Sequence, residues 1–455
     1  MKNFSIALPP APPVPNRQAG ASPDEIADWL RLCHTPGVPP AAARRLLAAL
    51  GPPGVVFQTP RAVLTEIVPH DVASRLLART CADLAELIAG TLAWASHPGC
   101  TVVTLSEAVY PRALLALGDA PPILYCRGDV CLANRADATG APGGMAAALV
   151  GSRRATPQGR DNARHFARVL GDAGVLVVSG LAAGIDAAAH EGALDTVGST
   201  CAIIGTGADI VYPFRHRALA ERIAERGLLL SAFPIGTPPR PEHFPQRNRL
   251  IAALARCTAV IEATTHSGSL ITARLAGELG RDVLAVPGSI HAPQSQGCHV
   301  LIRDGATLAA CPEDILEAMG MACPADASSL AAKEGRPRRT AVRHRPPNST
   351  APRNGEQRLR AAGNGNAGTV AAVHAGMTPE PPEPPVGDSA AAPPAGTAAI
   401  LEALGYDPVN ADTLCERSGL GIATVLSQLG VLELHGRVAR LPGGRFVQIC
   451  PRPAR

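Results

Sequence analysis

The sequence predicts an α/β protein built around a mostly parallel sheet, with a helical segment ahead of it and a small helix-and-hairpin domain behind it. Three observations predict this. Between about residues 100 and 320, short Val/Ile/Leu/Ala runs alternate with stretches of helical period, the pattern of strands joined by crossover helices. Most of these runs end in glycine or a small hydroxyl residue. Finally, 455 residues exceed what one hydrophobic core organises, and Pro- and Ala-rich stretches separate regions of different period.

Taken in order, residues 1–21 hold a proline cluster and are expected to be disordered. A helical segment follows over 22–95, opened by Ser22-Pro23-Asp24-Glu25, which supplies an N-cap, a proline at the first helical position and early acids. Inside it, the Gly-containing turn Thr35-Pro36-Gly37 precedes an apolar-periodic stretch reaching Leu47. This is similar to a helix-hairpin-helix (SAM-like) domain, whose turn amides can face a phosphate. The plainer reading is a structural helix pair with Arg44 and Arg45 on a solvated face.

Six runs over 100–320 are expected strands: Ala146–Val150, Val175–Val178, Cys201–Ile204, Leu228–Leu230, Thr258–Ile261 and Val283–Val286. In a Rossmann-like sheet, ligands sit outside the carboxyl ends of the parallel strands, over the helix N-termini. Here those ends read Gly151-Ser152-Arg153, Ser179-Gly180-Leu181, Gly205-Thr206-Gly207, His266-Ser267-Gly268-Ser269 and Pro287-Gly288-Ser289. Glycine admits close approach of an anion, hydroxyls donate hydrogen bonds, and Arg153 adds a planar fork. Any one such turn is more often a packing device; five on one edge point to phosphate.

A second constellation is Arg240-Pro241-Glu242-His243-Phe244-Pro245-Gln246-Arg247-Asn248-Arg249, leading into an apolar helix. In a chain only 3% aromatic, a Phe between arginines reads as a stacking platform for an unpaired base. It reads equally as a hydrophobic staple under the helix, with the arginines solvated. Asp186 and His190, four apart, carry the possibility of an acid–base pair, though a helix N-terminal acid with a surface histidine is the commoner arrangement.

Residues 322–395 are Pro-, Ala- and Arg-rich with no lasting apolar period and are expected to be a disordered linker. Within it, Lys333 to Arg360 holds nine Lys/Arg against Glu334 and Glu356, more than the whole chain's formal +4. The rest is therefore near neutral, and nucleic-acid affinity there has to come from a local pocket. Residues 397–455 read as short helices and a hairpin turning at Leu441-Pro442-Gly443-Gly444-Arg445, a winged-helix domain. Its candidate recognition helix, Gly421 to Leu429, contains no Lys or Arg, which favours a protein-interaction or autoregulatory wing over a base reader.

Several classes are disfavoured. Twelve cysteines are scattered without metal-ligand spacing, and the glycines lack both a dinucleotide fingerprint and a Walker lysine, so no cofactor is expected. No signal peptide or membrane span stands out, which makes the cytoplasm the expected compartment.

The motifs YPRALLALGDAPPILYCRG from Tyr110, LVGSRRATPQG, SGLAAGIDAAAHEGAL, YPFRHRALAERI, FPQRNRLIAALA, SGSLITARLA and GRDVLAVPGS occur together in this order. In them the chain resembles the DNA-processing protein A (DprA, also called Smf) family, densely over about 100–320 and with flanks like the family's. The resemblance implies binding of single-stranded DNA, protection of incoming strands in natural transformation, loading of the RecA recombinase, and a homodimer. It places DNA contacts on Gly151, Ser152, Arg153, Ser179, Gly180, Phe244, Arg247, Asn248, Ser267, Gly268 and Ser269, beside the flanking Arg240 and Arg249 of the same loop and helix. Two positions depart from the family pattern: Ala232 follows Ser231 where an acid is common, and His299 replaces a frequent Asn. The rival class is a nucleotide-cleaving phosphoribohydrolase on a related sheet. Such enzymes carry a Pro-Gly-Gly-x-Gly-Thr edge followed by an acid, whereas this chain has His266-Ser267-Gly268-Ser269-Leu270-Ile271-Thr272.

Overall fold

The computed structural model describes residues 21–135, 145–321, 397–441 and 443–449. The expected linker over 322–395, its basic run and nearly all of the expected N-terminal tail lie outside the described residues.

Six helices precede the sheet among the described residues: α1 (Pro23–His34), α2 (Pro40–Leu50), α3 (Pro53–Gln58), α4 (Arg61–Ile67), α5 (His70–Leu77) and α6 (Ala82–Ala95). The start of α1 is the one read from sequence. Ser22 Oγ accepts from the Glu25 amide at 3.2 Å, and the Glu25 carboxylate accepts from the Ser22 amide at 2.7 Å. Leu32, Leu46, Leu64, Val72 and Leu76 close a local helical core. Ile26, Trp29 and Leu30 of α1, by contrast, pack with Val102, Tyr125 and Leu229 of the sheet, so helical segment and sheet share apolar surface. Arg44 and Arg45 are exposed.

The large sheet comprises β1 (Cys100–Thr104), β2 (Ile123–Gly128), β3 (Ala146–Val150), β4 (Leu176–Ser179), β5 (Thr200–Ile204), β6 (Leu228–Ser231), β7 (Cys257–Val260), β8 (Asp282–Ala285) and β9 (Thr307–Leu308). Its order is β1-β2-β6-β5-β4-β3-β7-β8-β9. β3 through β9 are mutually parallel, while β2 runs antiparallel to both β1 and β6. All six expected strands form, each within a residue of its expected bounds; β1, β2 and β9 were not among them.

The crossovers are α7 (Pro157–Asp172), α8 (Ile185–Ala193), α9 (Arg217–Arg226), α10 (His243–Leu254), α11 (Gly268–Glu278) and α12 (Pro293–Arg303), and α13 (Pro312–Ala318) follows the last strand. Helices cover both faces, which is why the central strands are apolar along their whole length. Ala146, Ala148, Val150 and Val178 face Leu250 and Ile251 on one side. Ala147, Leu149 and Val177 face Phe166, Leu170 and Ile185 on the other. From β3 the chain steps outward through β4, β5 and β6, then returns to β7 on the other flank. The resulting switch point lies between the carboxyl ends of β3 and β7, where open α/β sheets bind ligands.

The C-terminal domain contains α14 (Ala398–Leu404), β10 (Val409–Asn410), α15 (Ala411–Ser418), α16 (Ile422–Leu434), β11 (Val438–Leu441) and β12 (Arg445–Gln448). Its sheet runs β10-β12-β11, over a core of Ile400, Leu404, Leu414, Leu429 and Phe446, as a winged helix does. Arg417 of α15 reaches α7, bonding Asp161 at 2.8 Å and Gln158 at 2.9 Å. No helix among the described residues is long and apolar enough to cross a membrane.

Candidate nucleic-acid interface

The turn after β3 is fastened from beneath. The Ser152 amide donates to the Glu262 carbonyl at 2.7 Å, joining the ends of β3 and β7, and the Ser152 carbonyl accepts from the Ile185 amide at 3.2 Å. Ser152 Oγ accepts from the Arg154 amide at 3.1 Å, so this buried hydroxyl serves its own loop. A Cβ on Gly151 would stand 2.6 Å from Ile185 Cγ1, which makes that glycine a packing requirement. The turn presents Arg153 and Arg154 to solvent, and Arg153 is the one that meets a ring. Its guanidinium carbon lies 5.5 Å from the centre of the Phe244 ring.

The turn after β4 is held more tightly still. Ser179, expected as a contact, is fully buried and donates its hydroxyl to the Leu149 carbonyl at 2.6 Å. The Gly180 amide donates to Asp186 at 3.1 Å and the Leu181 amide to His190 Nε2 at 3.2 Å. These two acceptors hold Leu181 at a φ of 57°, in the left-handed region, which costs a residue with a side chain about 1–2 kcal/mol. His190 Nδ1 meets Thr200 Oγ1 at 2.7 Å, and that hydroxyl donates to the Val177 carbonyl at 2.7 Å. The surface histidine expected here is therefore corrected: Asp186 and His190 are both buried. Burial takes His190 down to about 3, leaving it neutral, a donor at Nδ1 and an acceptor at Nε2. Burial also raises the Asp186 carboxyl, against the pull of Arg247.

Arg247 requires the largest correction. The sequence reading placed it beside Phe244 as a solvent-facing contact, but it is 3% exposed. Its Nη1 donates to the Ile203 carbonyl at 2.6 Å and to the Gly180 carbonyl, from under the β4 turn. A side chain at Gly180 would overlap the guanidinium. Burial lowers the Arg247 pKa to about 10, still cationic at neutral pH. Arg247 props up the turn rather than meeting a ligand. Arg249 turns away to pair with Asp119 at 2.7 Å. Asn248 Nδ2 reaches the Gly268 carbonyl at 3.4 Å, tying α10 to the start of α11. There Ser267 caps the helix and its Oγ lies 2.7 Å from that of buried Ser269, with Gly268 exposed between them. Arg240 is exposed on the loop before α10.

Phe244 is half-buried. One side packs over Gly205, where an added Cβ would be 3.3 Å from Cδ1, and the ring centre lies 5.8 Å from that of Tyr212 at 47°. Tyr212 is 49% exposed and Phe214 75%, so the loop after β5 brings further rings to the edge where Phe244 and Arg153 meet. Beside them opens a cleft of about 360 Å³ walled by Arg153, Arg160, Arg164, Arg215, His216 and Glu191. Sequence reasoning did not single out Tyr212, Phe214, Arg160, Arg164, Arg215 or His216 as site residues. Two signals were available: Tyr212-Pro213-Phe214-Arg215-His216 interleaves rings with basic groups, and Arg160 and Arg164 share one helix face.

The family model described as DNA recombination-mediator protein A matches residues 101–320, and that of the DprA winged helix domain matches 380–444. Protein Smf of Escherichia coli is 40% identical over 231 residues, covering 50% of this chain and 59% of that protein. Protein Smf of Synechocystis is 34% identical over 349 residues, covering 76% and 79%. The X-ray structure of DNA processing protein A from Streptococcus pneumoniae superposes with a TM-score of 0.54 at 33% identity, covering 66% of this chain and 98% of that one. With the sheet domain and the winged helix both matched, and with most of the Synechocystis protein covered, the chain belongs to the DNA recombination-mediator protein A (DprA/Smf) family.

Proposed function

We propose that this chain binds single-stranded DNA across the carboxyl edge of its parallel sheet and acts on DNA by binding rather than by chemistry. The observation that carries this reading is exposed Arg153 of the β3 turn set over the Phe244 ring, which Tyr212 flanks, at the carboxyl edge of the sheet between the ends of β3 and β5. A guanidinium fork grips a phosphate, and a ring with a free face stacks a base that has no pairing partner. Bases inside a duplex are already stacked and cannot use that ring.

A specific observation disfavours the phosphoribohydrolase alternative. The carboxylates nearest the turns are engaged internally: Asp186 accepts from the Gly180 amide, and Glu262 accepts from the Thr156 amide at 2.9 Å and its hydroxyl at 2.5 Å. Neither is presented to a sugar, and Glu191, the carboxylate that does wall the cleft, is paired with Arg164 at 3.0 Å.

Protection of incoming strands, loading of RecA, a homodimer and action in the cytoplasm during transformation complete the proposal; family membership supports them. The test is fluorescence anisotropy with a single-stranded 20-mer, its duplex and a nucleoside monophosphate, at two salt concentrations. Single-strand binding that exceeds duplex binding and weakens with salt is expected. Equal affinity for both strand forms, or cleavage of the monophosphate, overturns it.

A further inference from the structure

Beyond Arg153 and the rings, the geometry points to a second phosphate subsite, formed by Arg160, Arg164 and Arg215 in the adjoining cleft. It rests on the single-strand reading of this edge and lengthens it: a strand stacked on the rings lays successive phosphates on Arg153 and then in the cleft.

The cations come from three separate places in the fold. Arg153 ends the β3 turn, Arg215 lies on the loop after β5, and Arg160 and Arg164 sit one helical turn apart on α7, yet all wall one space of about 360 Å³. That volume lies within the ~300–1,000 Å³ of small-ligand clefts. A solvated basic face would spread such charges apart, because like charges gathered on one concave wall repel.

The acids present do not neutralise them. Arg164 is shared between Asp161 at 3.1 Å and Glu191 at 3.0 Å, and the other oxygen of Asp161 is taken by Arg417 of the winged helix at 2.8 Å. Arg160 donates to the Ala155 carbonyl at 2.9 Å, and Glu262, already accepting from Thr156, interacts with it electrostatically without forming an ion pair. Arg153, Arg160 and Arg215 make no ion pair among the described residues. His216 anchors the wall: its Nδ1 lies 2.9 Å from the carbonyl of Leu181, the residue held by His190. The cleft is thus a concavity with excess positive charge, contiguous with the proposed base platform. A chain of phosphodiesters supplies the complementary charge at regular spacing.

The test uses the full chain and a fluorescein-labelled thymidine 20-mer, read by anisotropy across a salt series, with thermal melts to confirm folding. Arg160→Gln and Arg215→Gln are each expected to weaken binding about three- to tenfold and to flatten the salt slope by about 0.7, the value of one phosphate contact on a single strand. Glu191→Gln, which frees Arg164 from one carboxylate, is expected to tighten binding about two- to threefold, a gain that misfolding cannot imitate. Wild-type affinity and slope in Arg160→Gln and Arg215→Gln, with a loss in Arg153→Ala, overturn the subsite and leave the edge standing. No tightening in Glu191→Gln also counts against it. If Arg153→Ala and Phe244→Ala bind normally as well, the single-strand reading of the whole edge fails.

Discussion

Phe244 and Arg247 stand one turn apart on α10 and do different work. The helix buries Arg247 and every residue from Leu250 to Leu254, and Arg247 lies three, four and seven positions before Leu250, Ile251 and Leu254, on the face those three share. Charge masked it: an arginine among arginines reads as a surface residue unless its phase is counted. Its guanidinium donates to two buried backbone carbonyls at the ends of β4 and β5. Arg247→Met is therefore expected to cost roughly 3 kcal/mol of stability, lowering the melting temperature by about 6–12 °C, with the salt slope of DNA binding unchanged. An unchanged melting temperature with a slope reduced by about 0.7 would instead make Arg247 a phosphate ligand.

At the scale of elements, the turn after β4 and the winged helix show what residue types can and cannot disclose. The Ser179-Gly180-Leu181 turn was legible as glycine-rich, but not that Asp186 and His190 would fold back under it, since that depends on the entry angle of α8. Its stability carries a pH signature. His190 falls to about 3 in the folded chain from an ordinary 6.5. The unfolded chain therefore binds the extra proton, and stability present above pH 6.5 is lost as pH falls toward 3, at about 1.4 kcal/mol per unit. Urea unfolding between pH 7 and 5 is expected to show a steeper loss in the natural chain than in His190→Gln, a comparison in which the opposing contribution of Asp186 cancels. Parallel slopes would mean that His190 titrates normally.

In the winged helix, α16 carries no Lys or Arg and exposes Ile422, Leu426 and Leu434. An apolar face without cations suits a protein partner better than a groove of DNA. Removing residues 397–455 is accordingly expected to change single-strand affinity less than threefold by anisotropy. A tenfold loss would show that the wing grips the strand.

At the scale of the whole molecule, the parallel core was legible because central strands covered on both faces are uninterrupted apolar runs. β1 and β2 were not, although Cys100–Thr104 is as β-branched as its neighbours, because a crossover pattern gives no cue for an antiparallel addition at the edge. The domain limits drawn from composition likewise missed that α1 shares a core with the sheet. The candidate site was legible as an edge with Arg153 and Phe244. Its extent was not, since the cleft arginines meet only when α7 and the loop after β5 come together.

The proposed function requires this edge to select unpaired bases by stacking them on Phe244. The most direct measurement is the ratio of single-strand to duplex affinity in Phe244→Ala and in the natural chain, taken across a salt series with melting temperatures alongside. A single-strand loss of roughly 1–3 kcal/mol is expected, with little change for duplex and an unchanged salt slope, because a ring contributes no charge. Equal weakening of both strand forms, together with a melting temperature lower by several degrees, would contradict it and make Phe244 a staple beneath α10.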